Sequence, residues 1–339
     1  RNGTPLLGER RIAMALPRVY VTRRIQDAGL SLLPGRAGFR VWEKDVPVDR
    51  ETLLKKTSSV DGLLCTLADK IDGELFSRCS GLKVVSNYAV GFDNIDVNEA
   101  TRRGVLVTNT PDVLTNATAD LAFTLLLSSA RRVVEASEFL RSGEWKTWSP
   151  NLLLGQEVSE SVIGIVGMGK IGRAVARRAA GFSMKILFFN RSPRPDIERE
   201  LGAKQVALEE LLRESDFVSL HCPLNDETRG LIGERELRMM KKTSVLINSS
   251  RGPVVDQKAL YRACSENWIW GAGLDVFDVE PVPLDEPLLS LKNVTTLPHL
   301  GSATVKAREG MARKAAENLL SALEGKRPAD LVNPSAWKG

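Results

Sequence analysis

The chain has 339 residues, more than one ordinary hydrophobic core takes up, so its length predicts two domains. Its 47 basic and 42 acidic residues leave a net charge of only +5, and no segment interleaves basic with aromatic side chains. This composition argues against a nucleic-acid-binding protein. No uninterrupted apolar run approaches the ~18 residues that a transmembrane helix needs, so we expect no membrane span.

The cysteines and the first residues bear on the compartment. Residues 1–13 lack the apolar segment of a secretory signal, and we expect them to form a disordered leader. Four cysteines occur without paired spacing: Cys65, Cys79, Cys222 and Cys264. Such spacing is typical of buried thiols in a reducing cytoplasm, and it favours neither a disulfide framework nor a metal site.

The first third of the chain alternates apolar runs with helical patterns. Helices are predicted at residues 50–57 and 73–79. Buried strands are predicted at residues 18–22, 62–65, 83–87 and 105–108. The sequence Asn109-Thr110-Pro111 breaks this α/β pattern. One long amphipathic helix is then predicted from about Ala117 to Arg141.

A strand, a glycine-rich turn and an amphipathic helix follow one another near the middle of the chain. Residues 162–166 predict the strand, and Gly167-Met168-Gly169-Lys170-Ile171-Gly172 forms the turn. In this pattern the first glycine permits a tight turn, the second lets backbone approach a pyrophosphate, and the third lets helix pack against strand. The helix N-terminus adds unpaired N–H groups and a positive dipole. The segment therefore predicts a dinucleotide-binding site.

The end of the next strand, residues 185–189, bears on which dinucleotide binds. An NAD site carries Asp or Glu there, bonded to the ribose 2′-hydroxyl. This chain carries Asn190-Arg191-Ser192-Pro193-Arg194 instead. Arg191, with Arg194 beside it, would pair with a 2′-phosphate, and Ser192 would add a neutral donor. We expect NADP(H), with NAD(H) as the alternative; a solvated basic loop is the other interpretation.

After the glycine-rich turn the alternation of strands and helices resumes. Parallel strands are predicted at residues 217–220, 244–247, 273–276 and 294–296. A final helix, at about residues 304–323, is expected to return to the first domain, because the second sheet is complete by His299. The predicted class is α/β with two Rossmann-like domains. A nucleotide-binding domain, residues 111–301, is inserted within a flavodoxin-like substrate domain, residues 14–110 and 302–328, and the ligand lies in the cleft between them.

Three side chains of complementary chemistry follow three consecutive strands: Arg251, Glu280 and His299. Ligands of open α/β sheets bind at the carboxyl ends of the strands. The arginine would clamp the carboxylate of a 2-oxo acid, and the histidine would protonate its ketone oxygen as hydride arrives from a nicotinamide. The glutamate would pair with the histidine and favour its charged form. This set predicts a hydride-transferring oxidoreductase.

The other histidine, His221, also follows a strand. We interpret it as lining the cofactor site or as a structural histidine, since Glu280 gives His299 the partner that an acid–base histidine needs.

These motifs, in this order, resemble the D-isomer-specific 2-hydroxyacid dehydrogenase family. The resemblance covers about residues 16–323. It includes Asn-x-Ser-Arg251-Gly, Gly273-Leu-Asp-Val-Phe-x-x-Glu280-Pro and Pro-His299-x-Gly-Ser-Ala303. Within the family, Val90-Gly91-Phe-Asp-Asn-Ile-Asp and Pro111-Asp-Val-Leu-Thr-x-x-Thr118-Ala-Asp are most similar to glyoxylate/hydroxypyruvate reductases.

The resemblance implies roles for individual residues. Arg251, Glu280 and His299 would be the catalytic set, and the N–H groups of Val90 and Gly91 would bind the substrate carboxylate together with Arg251. The implied cofactor contacts are Thr118 at a phosphate, Asp275 at the carboxamide, the 167–172 turn, Asn190, Arg191 and Ser192 at the 2′-phosphate, and Cys222, Pro223 and Thr228 on the adenine and ribose side.

The resemblance also implies an assembly. The long helix and the loop with Trp145 and Trp148 are similar to the arm through which these enzymes form homodimers. One of the tryptophans would reach the partner's active site, or both would be anchors inside the interface.

Other activities of the same fold stay open, because fold does not fix substrate. Phosphoglycerate and D-lactate dehydrogenases share the three catalytic positions, although a D-lactate enzyme is expected to carry an acid near Asn190. A nucleotide-sensing corepressor of this fold is the alternative from another class of protein.

Overall fold

A computed structural model of the chain describes residues 15–339, and the predicted leader at residues 1–13 lies outside the described residues. The chain forms two compact units. The first unit contains the residues up to Pro111 together with Glu309–Gly339, and the second contains Asp112–Arg308.

The first unit is built on a five-stranded parallel sheet. Its strands are β1 (Arg18–Val21), β2 (Gly38–Val41), β3 (Gly62–Cys65), β4 (Val84–Asn87) and β5 (Leu106–Thr108). Their order, β2-β1-β3-β4-β5, is that of the flavodoxin-like fold. The sequence did not predict β2, because this edge strand is only half buried and lacks a continuous apolar run.

Four helices of the first unit precede the second unit in the chain: α1 (Asp27–Leu30), α2 (Arg50–Thr57), α3 (Gly73–Arg78) and α4 (Val97–Arg102). Aspartate side chains fix where three of these helices begin. Asp49, Asp72 and Asp96 precede α2, α3 and α4, and each accepts a hydrogen bond from a backbone N–H of the first turn.

The second unit is built on a seven-stranded parallel sheet. Its strands are β6 (Val162–Val166), β7 (Lys185–Phe189), β8 (Lys204–Gln205), β9 (Phe217–Leu220), β10 (Val245–Asn248), β11 (Gly271–Leu274) and β12 (Val294–Thr296). The order β12-β11-β10-β9-β6-β7-β8 is that of a dinucleotide-binding sheet, with its switch point between β6 and β9. The two parallel sheets confirm the predicted class, α/β with two Rossmann-like domains.

Helices cover this sheet: α5 (Thr115–Ala130), α6 (Val133–Arg141), α7 (Lys170–Gly181), α8 (Pro195–Leu201), α9 (Leu208–Glu214), α10 (Glu234–Met239) and α11 (Gln257–Ser265). The last helix, α12 (Val305–Leu323), belongs to the first unit from Glu309 onward. No helix in residues 15–339 is both long and apolar enough to cross a membrane.

The prediction of one helix from Ala117 to Arg141 is wrong. The structure has two helices, α5 and α6, separated by Arg132 in a left-handed conformation with φ of 52°. The carbonyl of Ala130, at the end of α5, accepts a hydrogen bond from Gln156 N–H, and Arg132 is held by both carboxylate oxygens of Glu135. Apolar residues recur at helical spacing on both sides of Arg132, so the sequence pattern gave no sign of the break.

Gly29 gives a test of packing in the first unit. A Cβ at this position would lie 2.3 Å from the carbonyl oxygen of Ala312 on α12, which is backbone and cannot turn aside. We expect Gly29→Ala to lower the free energy of unfolding by about 1–3 kcal/mol, the usual cost of overpacking. Gly38→Ala is the matched control, because a Cβ there has no neighbour within 4 Å. Urea unfolding measures both, and equal stabilities would contradict the packing.

Candidate active site

The glycine-rich turn has the geometry that its sequence predicts for a dinucleotide. Gly167 has φ of 95°, and a Cβ there would lie 2.7 Å from the backbone nitrogen of Cys222. A Cβ on Gly172 would lie 2.1 Å from the carbonyl oxygen of Gly167, whereas a Cβ on Gly169 would enter open space. The first and third glycines are therefore required by packing, and the second leaves room for a phosphate.

The start of α7 also fits a dinucleotide. Gly169 precedes the helix, and no side chain caps it. N–H groups at a helix N-terminus attract phosphate. Lys170 pairs with Asp112, and both side chains are largely exposed. Ile171 is half buried beside them.

The loop after β7 separates the roles of its two arginines. Arg194 donates to the carbonyl of Met168 and is paired with both carboxylate oxygens of Asp196, so its guanidinium is occupied by internal contacts. Arg191 is 79% exposed, and its Nη1 lies 2.9 Å from Glu227 Oε2. Asn190 accepts a hydrogen bond from Met168 N–H at 3.1 Å and thereby ties this loop to the glycine-rich turn. Arg191 is thus the more exposed of the two arginines, and its partner Glu227 is also largely exposed.

The loop after β9 carries the residues expected on the adenine and ribose side. Cys222 is buried, and burial raises the pKa of its thiol to about 11. Thr228 Oγ1 donates to the carbonyl of Pro223 at 2.6 Å and accepts from the N–H of Asn225 at 2.9 Å. Thr228 therefore fixes the shape of this loop through its side chain.

His299 and Glu280 are in direct contact. His299 Nδ1 lies 2.6 Å from Glu280 Oε2, and Glu280 Oε1 accepts a hydrogen bond from Phe277 N–H at 3.0 Å. Burial acts to raise the pKa of Glu280, but the hydrogen bond and charge of His299, the Phe277 N–H and the charge of Arg251 outweigh it and lower that pKa. Glu280 is thus held as a carboxylate beside the His299 ring.

Gly252 brings the Arg251 loop against the Glu280 loop. A Cβ at Gly252 would lie 2.0 Å from the carbonyl carbon of Phe277, so no larger residue fits between these two backbones. Asn248, at the end of β10, donates to the carbonyl of Arg251 at 2.9 Å. The Arg251 backbone is therefore fixed on one side by Asn248 and on the other by the chain that carries Glu280.

Asp275 holds the backbone on which His299 lies. Its two carboxylate oxygens accept hydrogen bonds from Leu300 N–H at 2.6 Å and Gly301 N–H at 2.8 Å. Burial raises the pKa of Asp275 and outweighs these N–H groups and the charge of His299, which act to lower it. His299 has φ of 54°, a conformation uncommon for a residue with a side chain, and the Asp275 contacts hold it there.

Thr118 on α5 lies close to the same backbone. Its Cγ2 would be 3.4 Å from a Cβ on Gly301.

The second histidine, His221, is held differently. Its Nε2 lies 2.8 Å from Ser219 Oγ, and its backbone N–H donates to Val166 at 2.8 Å. Burial lowers the pKa of His221 to about 4, so this imidazole is neutral at neutral pH. It lies behind the glycine-rich turn, where a Cβ on Gly167 would be 2.8 Å from its carbonyl carbon.

In the first unit, Val90 and Gly91 lie in the loop after β4. Asn109 Nδ2 donates to the carbonyl of Val90, and Asn87 Nδ2 donates to that of Gly91, each at 2.8 Å. Asn87 is completely buried. The loop is therefore fixed through its carbonyl groups.

Two of the comparisons with known proteins establish the family. The model of the D-isomer specific 2-hydroxyacid dehydrogenase NAD binding domain matches residues 123–301. A glyoxylate reductase from Thermococcus kodakarensis is 54% identical over 326 residues, which cover 95% of this chain and 98% of the relative. The chain belongs to the D-isomer-specific 2-hydroxyacid dehydrogenase family. The predicted family and enzyme class are thereby confirmed.

Solved structures of this dehydrogenase family resemble the chain over almost its whole length. A glyoxylate reductase from Paecilomyes thermophila is 34% identical, with a TM-score of 0.83, over 94% of this chain and 99% of that one. An NADPH-dependent glyoxylate/hydroxypyruvate reductase from Sinorhizobium meliloti, in complex with NADP and malonate, is 32% identical, with a TM-score of 0.83, over 96% and 99% of the two chains.

The sequence did not point to two features of this dehydrogenase site. In the sequence Gly252 is only the last residue of Asn-x-Ser-Arg251-Gly, although a glycine directly after the arginine is a signal for close backbone approach. The double hydrogen bond from Asp275 to the His299 loop had no signal in the sequence, because the partners are backbone N–H groups 25 and 26 residues away.

The neutral state of His221 gives a test by NMR, because the chain has only two histidines. In the His299→Ala variant the single remaining imidazole belongs to His221. We expect its ¹⁵N shifts to stay those of a neutral ring as the pH falls from 8 to 5, with protonation only near a pKa of about 4. Titration of this ring around pH 6.5 would show that it is not buried as described.

Proposed function

We propose that the chain is an NADPH-dependent reductase of glyoxylate and hydroxypyruvate, with glycolate and D-glycerate as products. The observation that carries the proposal is the contact of His299 with a carboxylate, Glu280, on the loop that packs against Arg251. The 54% identity to a glyoxylate reductase over nearly the whole chain supports the substrate class. The NADP-bound Sinorhizobium reductase supports the cofactor.

NADPH, when bound, supplies a hydride to the carbonyl carbon of the substrate. We propose that the 167–172 turn and the start of α7 bind its pyrophosphate, with Thr118 as a further phosphate contact. Arg191 and Ser192 bind the 2′-phosphate. No carboxylate directly follows β7, and Arg191 exchanges its exposed ion pair with Glu227 for the phosphate. Cys222, Pro223 and Thr228 line the adenine and ribose side. Asp275 fixes the backbone near the nicotinamide, and NAD(H) remains the alternative cofactor.

The chain's own residues carry the proton and hold the substrate. Because Nδ1 of His299 bonds to Glu280, its Nε2 is the nitrogen left to give a proton to the ketone oxygen, and in the reverse direction to take it back. Glu280 orients the imidazole through Nδ1 and places a negative charge beside it. Arg251 binds the substrate carboxylate by a forked contact, and the N–H groups of Val90 and Gly91 add two further donors. Fixed positions for these groups supply much of the rate.

The exposed face of α6 supports a proposal about the assembly. No residue of this helix is buried, and apolar side chains on it and in the following loop are exposed: Val133, Val134, Leu140, Trp145, Trp148 and Leu154. We propose that this surface forms the homodimer interface, with the two tryptophans inside it or with one at the partner's active site. The four buried, unpaired cysteines are in keeping with the cytoplasm.

Initial rates test the reaction. NADPH and NADH oxidation would be followed with glyoxylate, hydroxypyruvate and pyruvate, for the wild type and for His299→Ala. We expect NADPH oxidation with the first two acids. The variant should lose about 10²–10⁴-fold in kcat, the usual contribution of a general acid.

The Kd for NADPH, measured by fluorescence, is the control and should be unchanged in His299→Ala. Turnover mainly with NADH would contradict the role of Arg191. Turnover mainly with pyruvate would contradict the substrate. Tight nucleotide binding without turnover of any 2-oxo acid would favour a sensor of the same fold.

A further inference from the structure

Two successive carbonyl groups in the loop after β4 are bound by one segment of chain. The carbonyl of Ala89 accepts a hydrogen bond from Thr110 N–H at 2.8 Å, and the carbonyl of Val90 accepts one from Asn109 Nδ2, also at 2.8 Å. Residues 109 and 110 directly follow β5, the neighbouring strand. The loop is therefore fastened at two consecutive peptide units to the next strand of the same sheet.

Because the peptide unit is planar, these two hydrogen bonds also fix the direction of two N–H groups. In a trans peptide, the carbonyl of one residue and the N–H of the next lie in one plane and point to opposite sides. The bond to Ala89 thus orients the N–H of Val90, and the bond to Val90 orients the N–H of Gly91. Successive N–H groups directed to the same side form a concave anion-binding site.

These two N–H groups are available to a ligand. Neither donates a hydrogen bond to any residue within the described part of the chain. Val90 and Gly91 are both half exposed, whereas the residues behind them, Asn87 and Thr110, are completely buried. An anion that approaches this loop from solvent therefore meets two aligned donors.

Asn109 is itself held in place. Its N–H donates to the carbonyl of Asp330 at 3.3 Å, and its carbonyl accepts from Asn318 Nδ2 at 3.3 Å. Asn318 and Asp330 exchange two more hydrogen bonds, and Lys314 pairs with Asp330 at 3.1 Å. The side chain that grips Val90 thus extends from a backbone fixed by α12 and the C-terminal segment.

We propose that Asn109 is a positioning residue for the substrate carboxylate. It acts through the Val90 carbonyl to aim the Gly91 N–H, while Thr110 aims the Val90 N–H through Ala89. This inference rests on the proposed function and deepens it, since it names what orients the two N–H donors assigned to the carboxylate. Asn109 touches neither substrate nor cofactor in this role.

The test compares Asn109→Ala with Asn333→Ala. Asn333 is a buried asparagine that bonds the backbone of Val105 and, on β5, of Val107. Both changes therefore remove an asparagine amide from this part of the first unit, but only the first removes the donor to Val90. In Asn109→Ala we expect the KM for glyoxylate and the Kd for oxalate, an unreactive dicarboxylate, to rise about tenfold, the loss of one hydrogen bond to a charged group. The kcat and the Kd for NADPH should stay within about twofold, because a contact equally strong in ground and transition states changes KM alone.

Asn333→Ala should lower the melting temperature while leaving KM and the oxalate Kd within about twofold of wild type. Equal increases in both variants would overturn the proposal, because general loosening would then explain them. Unchanged oxalate binding in Asn109→Ala would also overturn it. If Asn109→Ala does not fold, Asn109→Ser is used, since its shorter hydroxyl cannot span the distance to Val90.

Different outcomes overturn the proposed function and the positioning role of Asn109. A wild type that binds oxalate but does not reduce glyoxylate or hydroxypyruvate would overturn the function. Weaker binding of oxalate to Asn109→Ala, but not to the control variant, would then still support the positioning role. A wild type that binds no oxalate at all would overturn the positioning role.

Discussion

The hydrogen bond between Glu280 and His299 is the contact on which the catalytic end of the second unit depends. Its 2.6 Å length requires two loops to meet, one after β11 and one after β12. Asp275 fixes the second loop through Leu300 and Gly301, and the N–H of Phe277 orients Glu280 in the first. Gly252 then lets the Arg251 loop pack directly on the Phe277 backbone. Three loops thus fix the positions of His299, Glu280 and the Arg251 backbone, which we propose to be the proton donor, its partner and the carboxylate clamp.

Charge explains why similar side chains take different roles here. Glu280 and Asp275 are both carboxylic acids, but the pKa of Glu280 is lowered by His299 and the pKa of Asp275 is raised by burial. Within residues 15–339 no carboxylate bonds His221, and burial lowers its pKa to about 4, whereas His299 has a carboxylate partner. The two histidines therefore lie in different environments, one beside a carboxylate and one beside the Ser219 hydroxyl. In the first unit, neutral amide groups fix the loop after β4. Asn109 and Asn87 donate hydrogen bonds to the backbone carbonyls of Val90 and Gly91.

Much of this arrangement could be predicted from sequence, because apolar runs and glycine spacing reflect local requirements. The strands 62–65, 185–189, 217–220 and 294–296 lie where their apolar runs place them. The edge strands β2 and β8 were missed because they are exposed or very short. The break at Arg132 was missed because its cause, the return of the chain at Gln156, lies more than twenty residues away. The same holds for Asn109: a turn residue in the sequence, it acquires a partner only when β4 and β5 lie side by side.

The rate of a Glu280→Gln variant tests the Glu280–His299 contact most directly. Glutamine keeps a similar shape but removes the negative charge that lies 2.6 Å from His299 Nδ1. We expect the kcat for glyoxylate to fall by about 10²-fold or more, because the imidazole loses the carboxylate that orients it for proton transfer. The Kd for NADPH should stay within about twofold. An unchanged kcat would contradict the role that we assign to Glu280.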